Sequence, residues 1–346
     1  PVAADLKTIA GEAAAQEKGL ERLGVTDLQY FIVRQSSIGG RSSARAVLTF
    51  DQQRRGLASW LAAPGSMGAL QYVSPDANAV AAFVVKEPSA LVDDLFGFIG
   101  TSNPESLEAL RKFEAENGVS VRDDFAAPLG GEFAVAIDGP VLPTPSWKMI
   151  FEVDDPTRLL ASLERAVGIV NQHLAAEGKP GITLNRVDAD GRAYYAITSA
   201  AGRGEVHYTF VDGYLLVGPS KAILDRAISY RESGYTILGS QRFRAALPED
   251  GQTNFSALVY HDLGRLVSGV AEHLPTGKAD AETRKAIGQL AADGLPTLAY
   301  AYAHDDRIEF ATSGEGGPFG LSPSMLLGLP GSGGLGDLLG GALDLD

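Results

Sequence analysis

The 346-residue chain contains no cysteine. This absence excludes disulfide bonds, thiol nucleophiles and cysteine-ligated metal sites, but it leaves the redox compartment open. The sequence has no run of about 18 apolar residues and so predicts no membrane-spanning helix. Positive charge is also scarce, because 29 Lys and Arg stand against 43 Asp and Glu, for a formal net charge of −14. That excess argues against a nucleic-acid partner, whose phosphates need a basic surface.

The composition is that of a globular protein, with 45 % hydrophobic and 21 % charged residues. The length suits one large domain or two ordinary ones. The chain begins at Pro1, and small residues (Val2, Ala3, Ala4) crowd this terminus. The pattern favours an exported protein whose leader has been removed, in the periplasm, at the cell surface or outside the cell. An artificially shortened chain is the alternative.

The clearest local signal spans Val206–Tyr230, which predicts a strand, a tight turn, a second strand and a helix. The turn is Asp212-Gly213, a pair that tolerates the positive φ angles of a two-residue hairpin. Asp190-Gly191 predicts a second turn of the same kind, so residues 182–217 predict a meander of four antiparallel strands. Ser220 is the predicted N-cap of the helix that follows.

A unit of a strand, an acidic residue and a helix, in that order, occurs three times in the sequence. The copies begin at Phe83, Ile150 and Leu258. The acids at the strand ends, Glu87, Asp155 and Asp262, are predicted helix caps, because a side-chain oxygen there accepts from the first amides and favours the positive end of the helix. The alternative is that these acids form a metal-binding or catalytic site, and we prefer the interpretation as caps.

Other segments carry weaker signals. Ala79–Val85 predicts a strand that is buried on both faces, since it is almost continuously apolar. The helix after Asp155 has a long apolar stripe. Further predicted elements are an opening helix from Leu6 to Leu20, a polar helix over Ala281–Ala292 and a last hairpin that pairs Thr297–Ala303 with Arg307–Thr312.

Catalytic motifs are largely missing. The five histidines include no pair at the i,i+4 spacing of a helical zinc site. His261-Asp262 and His304-Asp305-Asp306 place imidazole beside carboxylate, which suits a hydrolase or a metal site, but turns and caps explain both. Gly331–Gly336 spells GxGxxG, yet it follows no predicted strand and so predicts no dinucleotide site. We therefore expect no catalytic residues, no metal and no cofactor.

The last 33 residues, 314–346, differ from the rest of the chain. They are rich in Gly, Leu, Pro and Ser and poor in charge. We interpret them as a tail that mediates assembly by docking on a neighbouring copy. The residues expected to make this contact are the apolar ones, Met325, Leu326, Leu327, Leu329, Leu335, Leu338, Leu339 and Leu343.

Several stretches resemble a bacterial family of exported proteins that is known as domain of unknown function 3352. They are VDGYLLVGPSKAILDRAI followed by Ser240-x-x-Phe243, Ala246-Leu247-Pro248 and SALVYHDLGRL, with RGLASWLAAPGSMGALQYVSPDANAVAAFV and DDFAAPLGGEFAVAID earlier. The resemblance covers roughly residues 20–315 and leaves out the tail. It implies an exported α+β protein and supplies no catalytic residues.

Together these signals predict an α+β fold of two similar halves, 1–140 and 141–313, each an antiparallel sheet backed by helices, with the tail 314–346 appended. The expected function is that of a non-enzymatic extracytoplasmic structural or interaction protein, such as a self-assembling surface or filament subunit whose main partner is itself. The alternative is a binding module for a lipid-like or other apolar ligand. A hydrolase that uses the His-Asp pairs is the third hypothesis.

Overall fold

The structure is a computed structural model. It describes residues 2–6, 24–38, 41–140, 145–199, 202, 204–248, 252–262, 264–265 and 296–313. The predicted opening helix, the polar helix over Ala281–Ala292 and the whole tail 314–346 lie outside these residues.

The described strands form one antiparallel sheet. Its 13 strands follow the order β1-β2-β3-β13-β12-β11-β4-β5-β6-β10-β9-β8-β7. They are β1 (Val2–Asp5), β2 (Leu28–Ile38), β3 (Arg41–Phe50), β4 (Ala79–Val84), β5 (Leu129–Ile137), β6 (Trp147–Val153), β7 (Ile182–Ala189), β8 (Arg192–Ser199), β9 (Glu205–Val211), β10 (Tyr214–Gly218), β11 (Ala257–His261), β12 (Thr297–Ala303) and β13 (Arg307–Ser313).

The α+β class is confirmed, but the strands lie in one sheet rather than in two. β5 and β6 pair with each other on either side of the predicted break near residue 140. β11, β12 and β13 insert between β4 and β3, so late strands complete the sheet that early strands begin. Each of these pairings satisfies backbone groups that two separate sheets would leave at open edges. The division into two similar halves stays a prediction.

The helices are short apart from one. They are α1 (Pro88–Ser102), α2 (Pro104–Asn117), α3 (Pro156–Ala176), α4 (Lys221–Ser233) and α5 (Gln241–Ala246), with a π-helical turn at Val121–Ala126 and 3-10 turns at Val25–Asp27, Gly56–Ser59, Gly68–Tyr72 and Ile237–Gly239. Proline stands at the start of α1, α2 and α3, where its missing amide costs no hydrogen bond.

The meander β7-β8-β9-β10 has the order and the turns that the sequence predicts. Asp190 and Gly191 have φ angles of 53° and 74°, and Asp212 and Gly213 have 48° and 80°. Both pairs therefore occupy the left-handed region that a two-residue hairpin turn requires, which Asp tolerates and Gly favours.

The sheet carries a different cover on each face. On the face that we call the α4 face, α4, α5 and the turn Gly68–Tyr72 pack on the sheet and bury the main core. On the opposite face, the α3 face, α3 covers a smaller core that contains Leu159, Tyr195 and Tyr208. α1, α2 and the π-helical turn lie beside α3.

β4 shows the difference between the faces within one strand. Val80 and Ala82 point to the α4 face and are 1 % and 0 % exposed, whereas Ala79, Ala81 and Phe83 on the other face are only partly buried. The prediction of a strand buried on both faces is therefore wrong in part. An apolar sequence does not say how closely the second layer covers each face.

Candidate functional site

A row of phenylalanines crosses the α3 face. Phe83, Phe133 and Phe151 stand directly opposite one another on β4, β5 and β6. Their ring centroids are 5.0 Å and 6.4 Å apart, and both pairs are stacked. All three side chains stay partly exposed. The row is therefore half-buried, and this part of the face is covered less closely than the core strands of the α4 face.

α1 adds apolar surface to the same region. The helix is rich in Leu, Val, Ile and Phe, yet none of its residues is buried, and Leu95 is 41 % exposed. Polar contacts hold it at its sides, where Trp60 Nε1 donates to Asp94 at 3.2 Å and Arg122 pairs with Asp93 at 2.8 Å. α1 thus has polar contacts at its flanks, and its apolar side chains are half-buried apart from the exposed Leu95.

An open groove lies between α2 and α3. Its lining is mainly apolar and its volume is about 220 Å³. Phe113 on α2 contacts the ring of His173 on α3 at 5.9 Å, and Phe113 and Val170 are 40 % and 42 % exposed. The lining residues are Phe113, Ile169, Val170, His173, Leu174 and Glu177.

α3 is longer than β7, the strand that it contacts most. Its 21 residues span about 32 Å at 1.5 Å per residue, while the eight residues of β7 span about 26 Å. The first half of α3 packs Leu159, Leu160 and Leu163 on the sheet. The second half, from Ile169 onward, faces α2, and its apolar stripe stays partly uncovered.

The α4 face contains charged groups, but they are buried and paired. Lys148 and Asp138 are each 3 % exposed, and Lys148 Nζ lies 2.7 Å from Asp138 Oδ2. Asp138 also accepts from the amide and the hydroxyl of Ser74, and Lys148 donates to the Tyr72 carbonyl at 3.0 Å. Burial lowers the pKa of Lys148, and Asp138 opposes that change. Every polar atom of the pair is occupied, which is the arrangement of a structural ion pair.

Glu132 is a second buried carboxylate on this face. It accepts from the amide of Ala69 and from the hydroxyl of Tyr214 at 3.2 Å. Burial raises the pKa of Glu132 against these hydrogen bonds. Gly68 packs so closely here that an added Cβ would lie 2.3 Å from the Tyr214 hydroxyl. Glu132 thus pins the start of the turn Gly68–Tyr72 to the sheet and leaves no room for a ligand.

The predicted caps do not all act alike. The Asp155 carboxylate accepts from the Arg158 amide at 2.9 Å, and Asp262 accepts from the Arg265 amide at 3.2 Å. Glu87 and Ser220 occupy the N-cap positions of α1 and α4, but their side chains make no capping hydrogen bond. The backbone carbonyls of both residues accept the first helical amides instead. Glu is not a favoured cap, because its carboxylate is one methylene further from the backbone than that of Asp.

The predicted histidine sites do not form a catalytic pair with the adjacent acids. The Asp262 carboxylate pairs with Arg242 and Arg265. The buried Nδ1 of His261 has no hydrogen-bond partner in the described part of the chain, and burial lowers the pKa of its ring. His304 Nε2 lies 3.6 Å from Glu309 on the neighbouring strand. Among the described residues, no three acidic or imidazole groups converge in a way that would hold a metal ion.

No protein-family model matches the chain, and no curated protein matches its sequence. Solved structures that match include "Structure of crystal form IV of TP0453" and "Structure of crystal form I of TP0453". Each match covers 71 % of this chain and 78 % of the matched chain. The sequence identities are 12 % and 9 %, respectively, and the TM-score is 0.30 for both. Similarity at this level carries no argument about fold or function. The resemblance to the domain of unknown function 3352 family stays a prediction.

Within the described ranges, no helix is both long enough and apolar enough to span a membrane. The comparisons provide no enzyme relative.

Sequence reasoning missed the buried polar groups of the α4 face. The signal was present, because Lys148 is in phase with buried Ile150 on β6, and Glu132 on β5 and Asp138 just after its end are in phase with buried Ala134 and Ala136. A charged residue in phase with buried neighbours predicts a partner inside the core. The groove left no such signal, since its residues come from two helices that only the tertiary structure brings together.

Proposed function

We propose that the protein is a non-enzymatic interaction protein that assembles with copies of itself, the C-terminal tail of one copy docking on the next. The observation that carries this proposal is the α3 face, where Leu95, Phe113 and Val170 are exposed beside an open groove and α1 has no fully buried residue. Apolar surface that a monomer leaves uncovered marks a contact with another molecule. The tail supplies a matching apolar segment of low charge.

The size of the groove favours a protein partner over an apolar small molecule. Small-molecule sites enclose roughly 300–1,000 Å³ and bury most of the ligand. The groove between α2 and α3 has about 220 Å³ and is open along its length. It suits a few side chains of a docked segment, as in the recognition of an amphipathic helix by an apolar groove.

The proposal includes an extracytoplasmic location, which rests on the family resemblance. Fractionation of cells that produce the protein naturally tests it. We expect the protein outside the cytoplasm, and its recovery in the cytoplasmic fraction would contradict this part of the proposal.

We also propose that the two halves, 1–140 and 141–313, are structurally similar. The support is the repeated succession of strand, acidic residue and helix at β4–α1 and β6–α3. Superposition of the two units tests this, and a shared path of strand and helix is the expected result. Unrelated helix directions would contradict it.

The main experiment compares particle size in the full chain and in a tail variant, by light scattering and electron microscopy over a concentration series. Leu338→Asp/Leu339→Asp removes apolar contact and adds charge in the tail. We expect the full chain to form ordered particles and the variant to stay monomeric, because an unpaired carboxylate is costly to bury.

The matched control is Ser322→Asp/Ser324→Asp, which adds the same charge to the same segment without removing a leucine. We expect it to assemble as the parent chain does. A parent chain that stays monomeric at all concentrations would refute the proposed assembly. Loss of assembly in both variants would show that charge, not leucine contact, is decisive.

A further inference from the structure

We propose that the groove between α2 and α3 is the acceptor for the segment Leu335–Leu343 of a second copy of this chain. The inference rests on the proposed function and names the surface and the segment that make the contact. The occupant is the tail, which lies outside the described residues. Burial, spacing and reach each support this pairing.

The groove is an incomplete contact as it stands. Phe113, Val170 and their neighbours offer side chains from two helices to a shared opening of about 220 Å³. Exposures of 40 % and 42 % for Phe113 and Val170 leave apolar area that an inserted leucine would cover. Burying this apolar area in a docked complex would stabilise the contact.

The tail segment has the spacing that a helical groove accepts. Leu335, Leu338, Leu339 and Leu343 stand at i, i+3, i+4 and i+8, which places them on one face of a helix. Anchors at these intervals are the mark of a helix bound in a groove. The segment contains three glycines, and each of them disfavours a helix relative to alanine. A helix here therefore depends on an apolar partner surface.

The distance from the last described strand to the groove bears on whether the tail docks on its own chain or on a neighbouring copy. The successive antiparallel pairings from β13 to β7 place Ser313, at the end of β13, and Ile182, at the start of β7, at the same end of the sheet. Asn171 of α3 binds the backbone of Ile182, so the groove also lies at that end. Nine strand steps separate β13 from β7, which is about 43 Å at 4.8 Å per step.

Residues 314–334 connect Ser313 to the leucine segment. A Gly-rich chain of this length has an end-to-end distance of about 25 Å. The chain's own groove lies within the roughly 70 Å that these residues span when extended, but it requires an extension well beyond their average. A neighbouring copy's groove sets no such requirement, and we therefore assign the contact to a neighbour.

The absence of cysteine makes cross-linking decisive, because only introduced thiols react. Full-length Val170→Cys is mixed with a second full-length chain that carries Leu335→Cys, Leu338→Cys, Leu339→Cys or Leu343→Cys, and a short bis-maleimide is added. The control acceptor is Leu238→Cys, which is 39 % exposed and lies in the 3-10 turn Ile237–Gly239, away from the groove.

We expect cross-linked dimers with Val170→Cys in at least about tenfold excess over Leu238→Cys, because docking holds the two thiols at an effective concentration in the millimolar range. Phe113→Asp in the acceptor chain lowers the yield about tenfold, the change that a small loss of binding energy produces. Urea unfolding of Phe113→Asp checks that the acceptor still folds.

Three results would overturn the inference. Equal cross-linking to both acceptors, with particles still present by light scattering, refutes the groove and leaves the proposed assembly standing. Absence of both cross-links and particles refutes the groove and the assembly together. A Val170→Cys/Leu339→Cys chain that cross-links only within itself refutes docking on a neighbour.

Discussion

The two faces of the sheet are built from similar amino acids and reach different degrees of burial. On the α4 face, large side chains such as Phe243 and Leu224 are 2 % and 0 % exposed, and the charged groups are paired inside the core. On the α3 face, α1 has no buried residue and a phenylalanine row stays partly open. The difference shows that apolar composition alone does not complete a core. A face that stays open is available for association.

Breaking the buried ion pair of the α4 face should have the largest effect. Asp138→Ala leaves Lys148 buried without its counter-ion, and removing one partner of a buried pair costs about 3–5 kcal/mol. Urea unfolding measures this loss. The control is Asp93→Ala, whose carboxylate pairs with Arg122 at the surface of α1, and which should cost at most about 1 kcal/mol. Equal losses would contradict the assignment of the pair as a structural element.

A matched pair of leucines tests the comparison directly. Leu224 on α4 is 0 % exposed and Leu95 on α1 is 41 % exposed. Leu224→Ala should lower the free energy of unfolding by about 2–5 kcal/mol through lost burial and a cavity. Leu95→Ala should stay within about 0.5 kcal/mol of the parent. A large loss at Leu95, measured by thermal or urea unfolding, would show that α1 is packed as tightly as α4.

The caps on the α3 face give a smaller contrast. Asp155→Ala removes a capping hydrogen bond at the start of α3 and should cost about 1 kcal/mol. Glu87→Ala at the same position of α1 should change stability by only a few tenths of a kcal/mol, because the Glu87 side chain caps nothing. Denaturant titration of the two variants checks the order. A larger loss for Glu87→Ala would reverse the assignment.

Glu132 tests the burial of charge on the α4 face through pH. Its pKa in the folded protein is raised above the ordinary 4.5, mainly by burial. The native state therefore holds a proton that the unfolded chain releases, so this group's contribution is full below pH 4.5 and is lost as pH rises through the folded pKa. The free energy of unfolding of the parent relative to Glu132→Gln should therefore fall as pH rises from 4.5 towards the folded pKa and stay constant above it. Parallel pH profiles for the two proteins would contradict the raised pKa.

Local signals in the sequence predicted many single elements. Asp190-Gly191 and Asp212-Gly213 form the hairpin turns of the meander, since the positive φ angles of such turns admit few residue types. Proline at the start of α1, α2 and α3 and Gly118 at the end of α2 mark helix boundaries for equally local reasons. The Asp155 cap belongs to the same class.

Contacts between distant residues were not predictable from local signals. The pairing of β11 with β4 joins residues about 180 positions apart, and no turn chemistry announces it. The groove combines Phe113 with Val170 and His173 in the same way. Lys148 is in phase with buried neighbours, and this pattern indicates a buried partner. Only the tertiary structure identifies that partner as Asp138.

The amino-acid sequence by itself determined the α+β class, the absence of cysteine chemistry, the meander with its turns and most helix starts, because short-range sterics and hydrogen bonding decide these features. The tertiary structure decided that the strands join in one sheet and that one face is sealed while the other stays partly open. Such outcomes depend on which layer covers which strands, and that is a property of the whole chain rather than of any segment.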